Sequence, residues 1–194
     1  MQKLAPSDLM PLEQYARERP AIRERMIAYR RARRLTLGAH CTLSFEDRET
    51  IRYQVQEMLR AEKVFEAAGI AEELDAYNPL IPDGSNLKAT MLIEYDDAEE
   101  RAVRLRELRG LERQCWLQVA GYERVVAIAD EDLPRENDEK TSAVHFLRFE
   151  FAPAMRAALR AGAALSAGTG HPAYTHVVEP LPAALIAALL TDLL

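Results

Sequence analysis

Cysteine is scarce in this chain. Two occur in 194 residues, Cys41 and Cys115, far apart and outside any Cys-x-x-Cys. That excludes a disulfide framework and suits a reducing compartment. Long apolar runs are missing too. The most apolar stretch, LPAALIAALLTDLL, has 14 residues, whereas a bilayer requires about 20. The opening MQKLAPSDLMPLEQYARERP holds no apolar run of signal-peptide length. The chain is therefore expected to be cytoplasmic, with no membrane partner. Catalytic signatures are also wanting: there is no P-loop, no G-x-S-x-G and no H-E-x-x-H. GTGHPA (168–173) matches the letters of a dinucleotide fingerprint, but β-branched AYTHVV follows where a helix is required, so it reads as a hairpin turn.

What is there describes an ordinary globular protein, 48% hydrophobic and 29% charged. A length of 194 residues is expected to form a single domain, 1–194. The net charge of −6 and the lack of an aromatic stacking platform argue against nucleic acid as a partner. Charge is uneven, however. Residues 1–34 carry nine basic side chains against four acidic ones. Their arginines (Arg17, Arg19, Arg23, Arg25, Arg30, Arg31, Arg33, Arg34) could grip phosphate, but docking on the acidic remainder of the chain is the favoured reading.

Capping and breaking residues predict the elements. Ser7 or Asp8 caps a first helix to about Arg19, and Pro20 opens a second over 20–34. LTLGAHCTLSFED alternates as a strand or hairpin bent at Gly38. Asp47 caps a helix expected to run to about Ala68, where Gly69 stops it, and a short helix 71–77 follows. Residues 78–86 form a loop, 87–95 a strand, and 98–109 a helix begun at Asp97 and ended by Gly110. CWLQV and RVVAIAD make a hairpin, and PRENDEKT (134–141) a polar loop. A strand over 142–151, a helix from Pro153, two more strands and a final helix 183–193 complete the chain. The expected class is α+β: a mixed, mostly antiparallel sheet with helices packed on it, preceded by a helical N-terminal segment 1–34.

A few polar residues fall where apolar ones belong. With the helix from Asp47 continuing unbroken, Glu62 lies about 20° from Ile51, in the middle of the apolar stripe. A carboxylate there has to be paired, metal-bound or protonated. A helix ending near Ala61–Lys63 would instead leave it at the edge. Glu57 and Arg60 lie on the polar side of the helix and Gln54 at its edge, a candidate polar surface together with Asn78 and Arg148. His145 shares a strand side with Ala143, Leu147 and Phe149, and a satisfied core histidine is the commoner reading. Arg148 and Glu150 share the other side and are expected to pair. Convergence of Glu62, Glu94 and His145 would make a mixed oxygen/nitrogen site for a divalent metal. His171 and His176 fall on opposite sides of a strand and are not expected to ligate together.

Three stretches, LTLGAHCTLSFEDRETIRYQVQEMLRAE, EELDAYNPLIPDGSNLKATMLIEY and DEKTSAVHFLRFEF, resemble the bacterial family catalogued as domain of unknown function 3501. With LMPLEQYARERP and GHPAY the resemblance covers nearly the whole chain. The family pattern takes in Gln54, Glu57, Arg60, Glu62, Asn78, Glu94 and His145 and assigns none of them a role. The resemblance implies gene neighbours of rubrerythrin-like and iron–sulfur reductase-like type, hence a link to redox or peroxide-stress metabolism. The leading expectation is an accessory protein of such a system, binding a metal, a small ligand or a redox protein partner through the Glu62/Glu94/His145 neighbourhood and the 78–86 loop. The others are an enzyme with a carboxylate–histidine pair and a structural module, homodimeric through the C-terminal helix.

Overall fold

Alternation in CTLSFE, NLKATMLI and VHFLRFE gives each strand a mostly apolar inner side and an outer side that carries most of its polar residues. Their apolar sides meet those of a second sheet, and the main core lies between the two. The computed structural model describes residues 2–132, 135 and 140–194, so most of the PRENDEKT loop lies outside the described residues.

In chain order the elements are α1 (Leu12–Arg31), β1 (Arg34–Leu37), β2 (Cys41–Glu46), α2 (Arg48–Glu62), α3 (Ala67–Tyr77), β3 (Asn86–Ile93), α4 (Ala98–Glu107) and β4 (Cys115–Val119). Then follow β5 (Val125–Val126), β6 (Ile128–Ala129), β7 (Val144–Glu150), α5 (Pro153–Arg160), β8 (Leu165–His171), β9 (Tyr174–Val178) and α6 (Ala183–Leu190). The first sheet has the order β1-β2-β3-β7-β6 and the second β5-β4-β8-β9. Every pairing is antiparallel. The α+β class holds, with two antiparallel sheets in place of one mixed sheet. RVVAIAD is the reason: Val125–Val126 complete the hairpin with β4, and Ile128–Ala129 cross over to pair with β7. Phe45, Met91, Phe149 and Leu117 are fully enclosed between the sheets. Each such side chain contributes about 1.5–3 kcal/mol.

Three local expectations give way. Pro20 lies inside α1 rather than opening a new helix. The proline and Ala16, whose carbonyl it leaves unbonded, are both exposed, so water can serve that carbonyl. Helix α2 ends at Glu62 because Lys63 takes the left-handed conformation (φ 55°), and Gly69 sits within α3 instead. GTGH belongs to strand β8, with the turn just after it. A Cβ on Gly168 would fall 2.4 Å from the Trp116 ring, so glycine is there to let the indole lie on the strand.

Three of the N-terminal arginines, Arg19, Arg33 and Arg34, pair with the chain's own acids, in part as the charge pattern suggested. Arg33 is almost fully buried and forms ion pairs with Asp47 (3.3 Å) and Asp192, while Tyr29 donates to Asp47. Arg33 Nε also donates to the Phe45 carbonyl (3.2 Å) and Nη1 to that of Ala188 (2.9 Å), tying the end of α1 to the C-terminus. Burial pushes the Asp192 carboxyl up to about 6, against the pull of Arg33 and with help from Asp47. The folded state therefore holds this proton more tightly than the unfolded chain does. The associated stability is complete below about pH 4 and is lost as pH rises to about 6. Urea unfolding of wild type and Asp192→Asn at pH 4 and pH 7 should show wild type losing about 2–3 kcal/mol of its advantage over the variant across that interval.

The leucines of α6 are spent on the chain's own core. Leu185 and Leu189 are buried there, while the exposed side is Ala183, Ala184 and Ala187. The apolar side from which a dimer seam was expected is thus already covered.

Candidate functional site

The polar side of the first sheet sets the site. Its cross-strand rows run Thr42–Leu92–Val144, Ser44–Thr90–Phe146 and Glu46–Lys88–Arg148 over β2, β3 and β7. Asp47 begins α2 by accepting from Thr50 N (2.8 Å) and so turns the chain back across this side. The α2–α3 pair covers it only in part, with its own small core of Ile51, Val55, Leu59, Leu74 and Ile81.

Under this cover lies a cleft of about 310 Å³. Leu92, Val144, Phe146, Ile51 and Leu80 give it apolar walls, and Ser44, Glu46, Thr90, Gln54 and Arg30 supply polar groups. Glu46 is only 8% exposed. Its Oε1 accepts from Thr90 Oγ1 (2.7 Å), and among the described residues no cation pairs with it. Arg30 donates from Nη2 to the Thr50 carbonyl (3.3 Å) and lies over the Tyr53 ring, with Nε buried and without a hydrogen bond. It too has no ion-pair partner among the described residues. A buried carboxylate and a guanidinium with unspent capacity therefore share one apolar-walled space, a common form of small-molecule site.

A second cleft of about 330 Å³ adjoins it beyond Phe146, against Pro79, Leu80 and Asp83. Its charges are already satisfied. Arg148 is held bidentately by Glu131 (2.8 Å twice) and by Glu150 (2.6 Å), as the sequence led us to expect for Glu150. Lys88 donates to the Pro79 carbonyl, and burial lowers its pKa. The pairing with Arg148 also holds the Glu131 carboxyl below its ordinary value.

The three residues expected to share a metal do not come together. Glu62 is exposed at the last position of α2, with no ion pair among the described residues. The helix stops at Lys63, so the apolar stripe never continues past it. Glu94 lies just beyond β3 on the polar side of the sheet, accepting from Thr42 Oγ1 (2.6 Å) and pairing with Arg34 (3.2 Å). His145 faces the opposite side, paired in register with Met91 and 0% exposed. Among the described residues no group of three or more His, Cys, Asp or Glu side chains is arranged to hold a metal ion.

His145 is instead a satisfied core histidine. Nδ1 donates to Asp130 Oδ2 (2.6 Å), and Nε2 lies 2.9 Å from Thr141 Oγ1 and 3.0 Å from the Ser142 carbonyl. Glu112, 1% exposed, stands 4.0 Å from Nε2. Cys115 is also enclosed, with Sγ 3.6 Å from Met91 Sδ. Its hydrogen bond with Cys41 and its burial push the thiol well up, leaving it unsuited to nucleophilic work.

The candidate polar surface divides among several tasks. Gln54 lines the cleft. Glu57 binds α1, accepting from Tyr15 (2.5 Å) and Arg19 (2.7 Å twice), and Arg19 holds its carboxyl below the ordinary value. Asn78 pins the N-terminal segment, accepting from Leu4 N (2.8 Å) and donating to Leu4 O (3.0 Å). Arg60 is exposed. Glu46 and Arg30 escaped notice as site residues. The signal was the Thr42, Ser44, Glu46 alternation beside Lys88 and Thr90, a polar face lying where a helix had to pack.

A solved structure described as a novel protein of unknown function, from Burkholderia pseudomallei K96243, is similar to this one with a TM-score of 0.94. It shares 49% identity, and the alignment covers 99% of this chain and 100% of that one. No curated protein matches the chain. The model of the family described as protein of unknown function (DUF3501) matches residues 3–193, and the chain belongs to that family.

Proposed function

We propose that this protein is an accessory protein that binds a small organic ligand in the cleft between the α2–α3 pair and the polar side of the first sheet. The observation that carries this reading is Glu46, a carboxylate more than nine-tenths buried, with one hydroxyl as its partner, in an apolar-walled space of about 310 Å³. An uncompensated buried carboxylate costs several kcal/mol, and a bound ligand that completes its hydrogen bonding recovers part of that cost. The volume is at the small end of ligand pockets, which favours a metabolite over a large cofactor. The redox setting implied by the family resemblance is the physiological context we assign to it; the reading requires no metal. It is preferred to a carboxylate–histidine enzyme because His145 is wholly buried and its ring nitrogens are already engaged.

Thermal-shift screening of a metabolite panel tests this. Val144, at the rim and 37% exposed, is replaced by tryptophan to fill the cleft. Ligands should raise the melting temperature of wild type, by about 2.7 kcal/mol of linked stability at a hundredfold excess over Kd, and leave Val144→Trp unmoved. Stabilisation that persists in the filled variant would place binding elsewhere and overturn the reading.

A further inference from the structure

Resting on that cleft, we infer that its ligand is a small amphipathic zwitterion, an α-amino acid type of molecule with a branched or aromatic side chain. Three features converge. Glu46 offers a buried anionic acceptor, and the cross-strand Lys88 beside it is drawn away to the Pro79 carbonyl, so its ammonium does not answer the charge. Arg30 offers a cation whose Nε has no hydrogen bond. Leu92, Val144, Phe146 and Ile51 line the same cleft with apolar surface.

A ligand with one charge would answer one of these groups and leave the other as it stands. A carboxylic acid would suit Arg30 and bring a second negative charge towards Glu46. An amine would suit Glu46 and repel Arg30. A molecule that carries an ammonium and a carboxylate a few ångströms apart answers both, and its neutrality as a whole limits the desolvation penalty. The apolar walls then select a side chain of leucine or phenylalanine type over glycine. Thr90, Ser44 and Gln54 are at hand for the ligand's remaining polar atoms.

Isothermal titration calorimetry of the full chain decides the matter, with leucine, isoleucine, phenylalanine and glycine as probes. Two analogues accompany them: N-acetyl-leucine, which lacks the ammonium, and leucinamide, which lacks the carboxylate. The expected result is binding of one or more of the apolar amino acids, with glycine and both analogues weaker by about tenfold or more. Glu46→Gln should weaken the free amino acid by a similar factor and leave N-acetyl-leucine unaffected or improved, and Val144→Trp should abolish both. Arg30→Gln should weaken the amino acid while sparing leucinamide. Equal binding of N-acetyl-leucine and leucine, or a ligand of another class that Val144→Trp blocks, overturns the zwitterion and leaves the cleft standing. Absence of binding by every amino acid also overturns it. The wild-type panel reads this outcome even if a substituted chain fails to fold.

Discussion

Replacing Arg33 by methionine is expected to lower the unfolding free energy at pH 7 by about 3–5 kcal/mol, read from urea denaturation. Methionine keeps the aliphatic stem, so the loss is mainly that of the guanidinium's charge and hydrogen bonds. Asp47 and Asp192 would be left without the guanidinium they share, and the carbonyls of Phe45 and Ala188 would lose a donor. Removing one member of a buried ion group is costly because the others stay desolvated. The loss should shrink towards pH 5. There Asp192, with its carboxyl pushed up to about 6, takes a proton and no longer needs the arginine's charge. A loss below about 1 kcal/mol, the scale of a surface pair, would show that the network does not hold α1 to the C-terminus.

His145→Leu is expected to cost a similar amount, about 3–5 kcal/mol, by leaving Asp130 and Glu112 in the interior without the imidazole. The informative part is what should not change. His145 lies on the inner side of β7 and the cleft on the outer side, so the folded variant should bind the cleft's ligand with wild-type affinity. Calorimetry at a temperature well below the variant's melting point separates the two effects. A selective loss of binding with stability intact would make this histidine a functional residue after all.

The alternation of β2, β3 and β7 was legible from the residues alone, and so was the pairing of Arg148 with Glu150. Asp47 and Asp97 announced their caps, and both accept the expected backbone N–H. His145 as a satisfied core residue also followed from its strand neighbours. For Glu62 the structure took the second of the two readings, a helix ending near Ala61–Lys63, and the longer helix failed for a specific reason. An apolar stripe fixes a residue inward only while the helix lasts, and nothing in MLRAEKVFE announces that Lys63 will take a left-handed turn. Pro20 went wrong because the lost hydrogen bond falls on the exposed side of α1, where water can serve the Ala16 carbonyl and the helix continues.

By itself the sequence determined the sides of the strands, the caps at Asp47 and Asp97, and a charge balance that favours folding the basic N-terminal segment onto the rest. Those are local properties, set by side-chain period and hydrogen-bonding chemistry within a few residues. Only the tertiary structure decided that the strands divide into two sheets, that Glu94 and His145 face opposite ways, and that Arg30 lines the same cleft as Glu46. Those depend on long-range pairing, where a crossover at Ala127 or a stop at Lys63 redirects everything that follows.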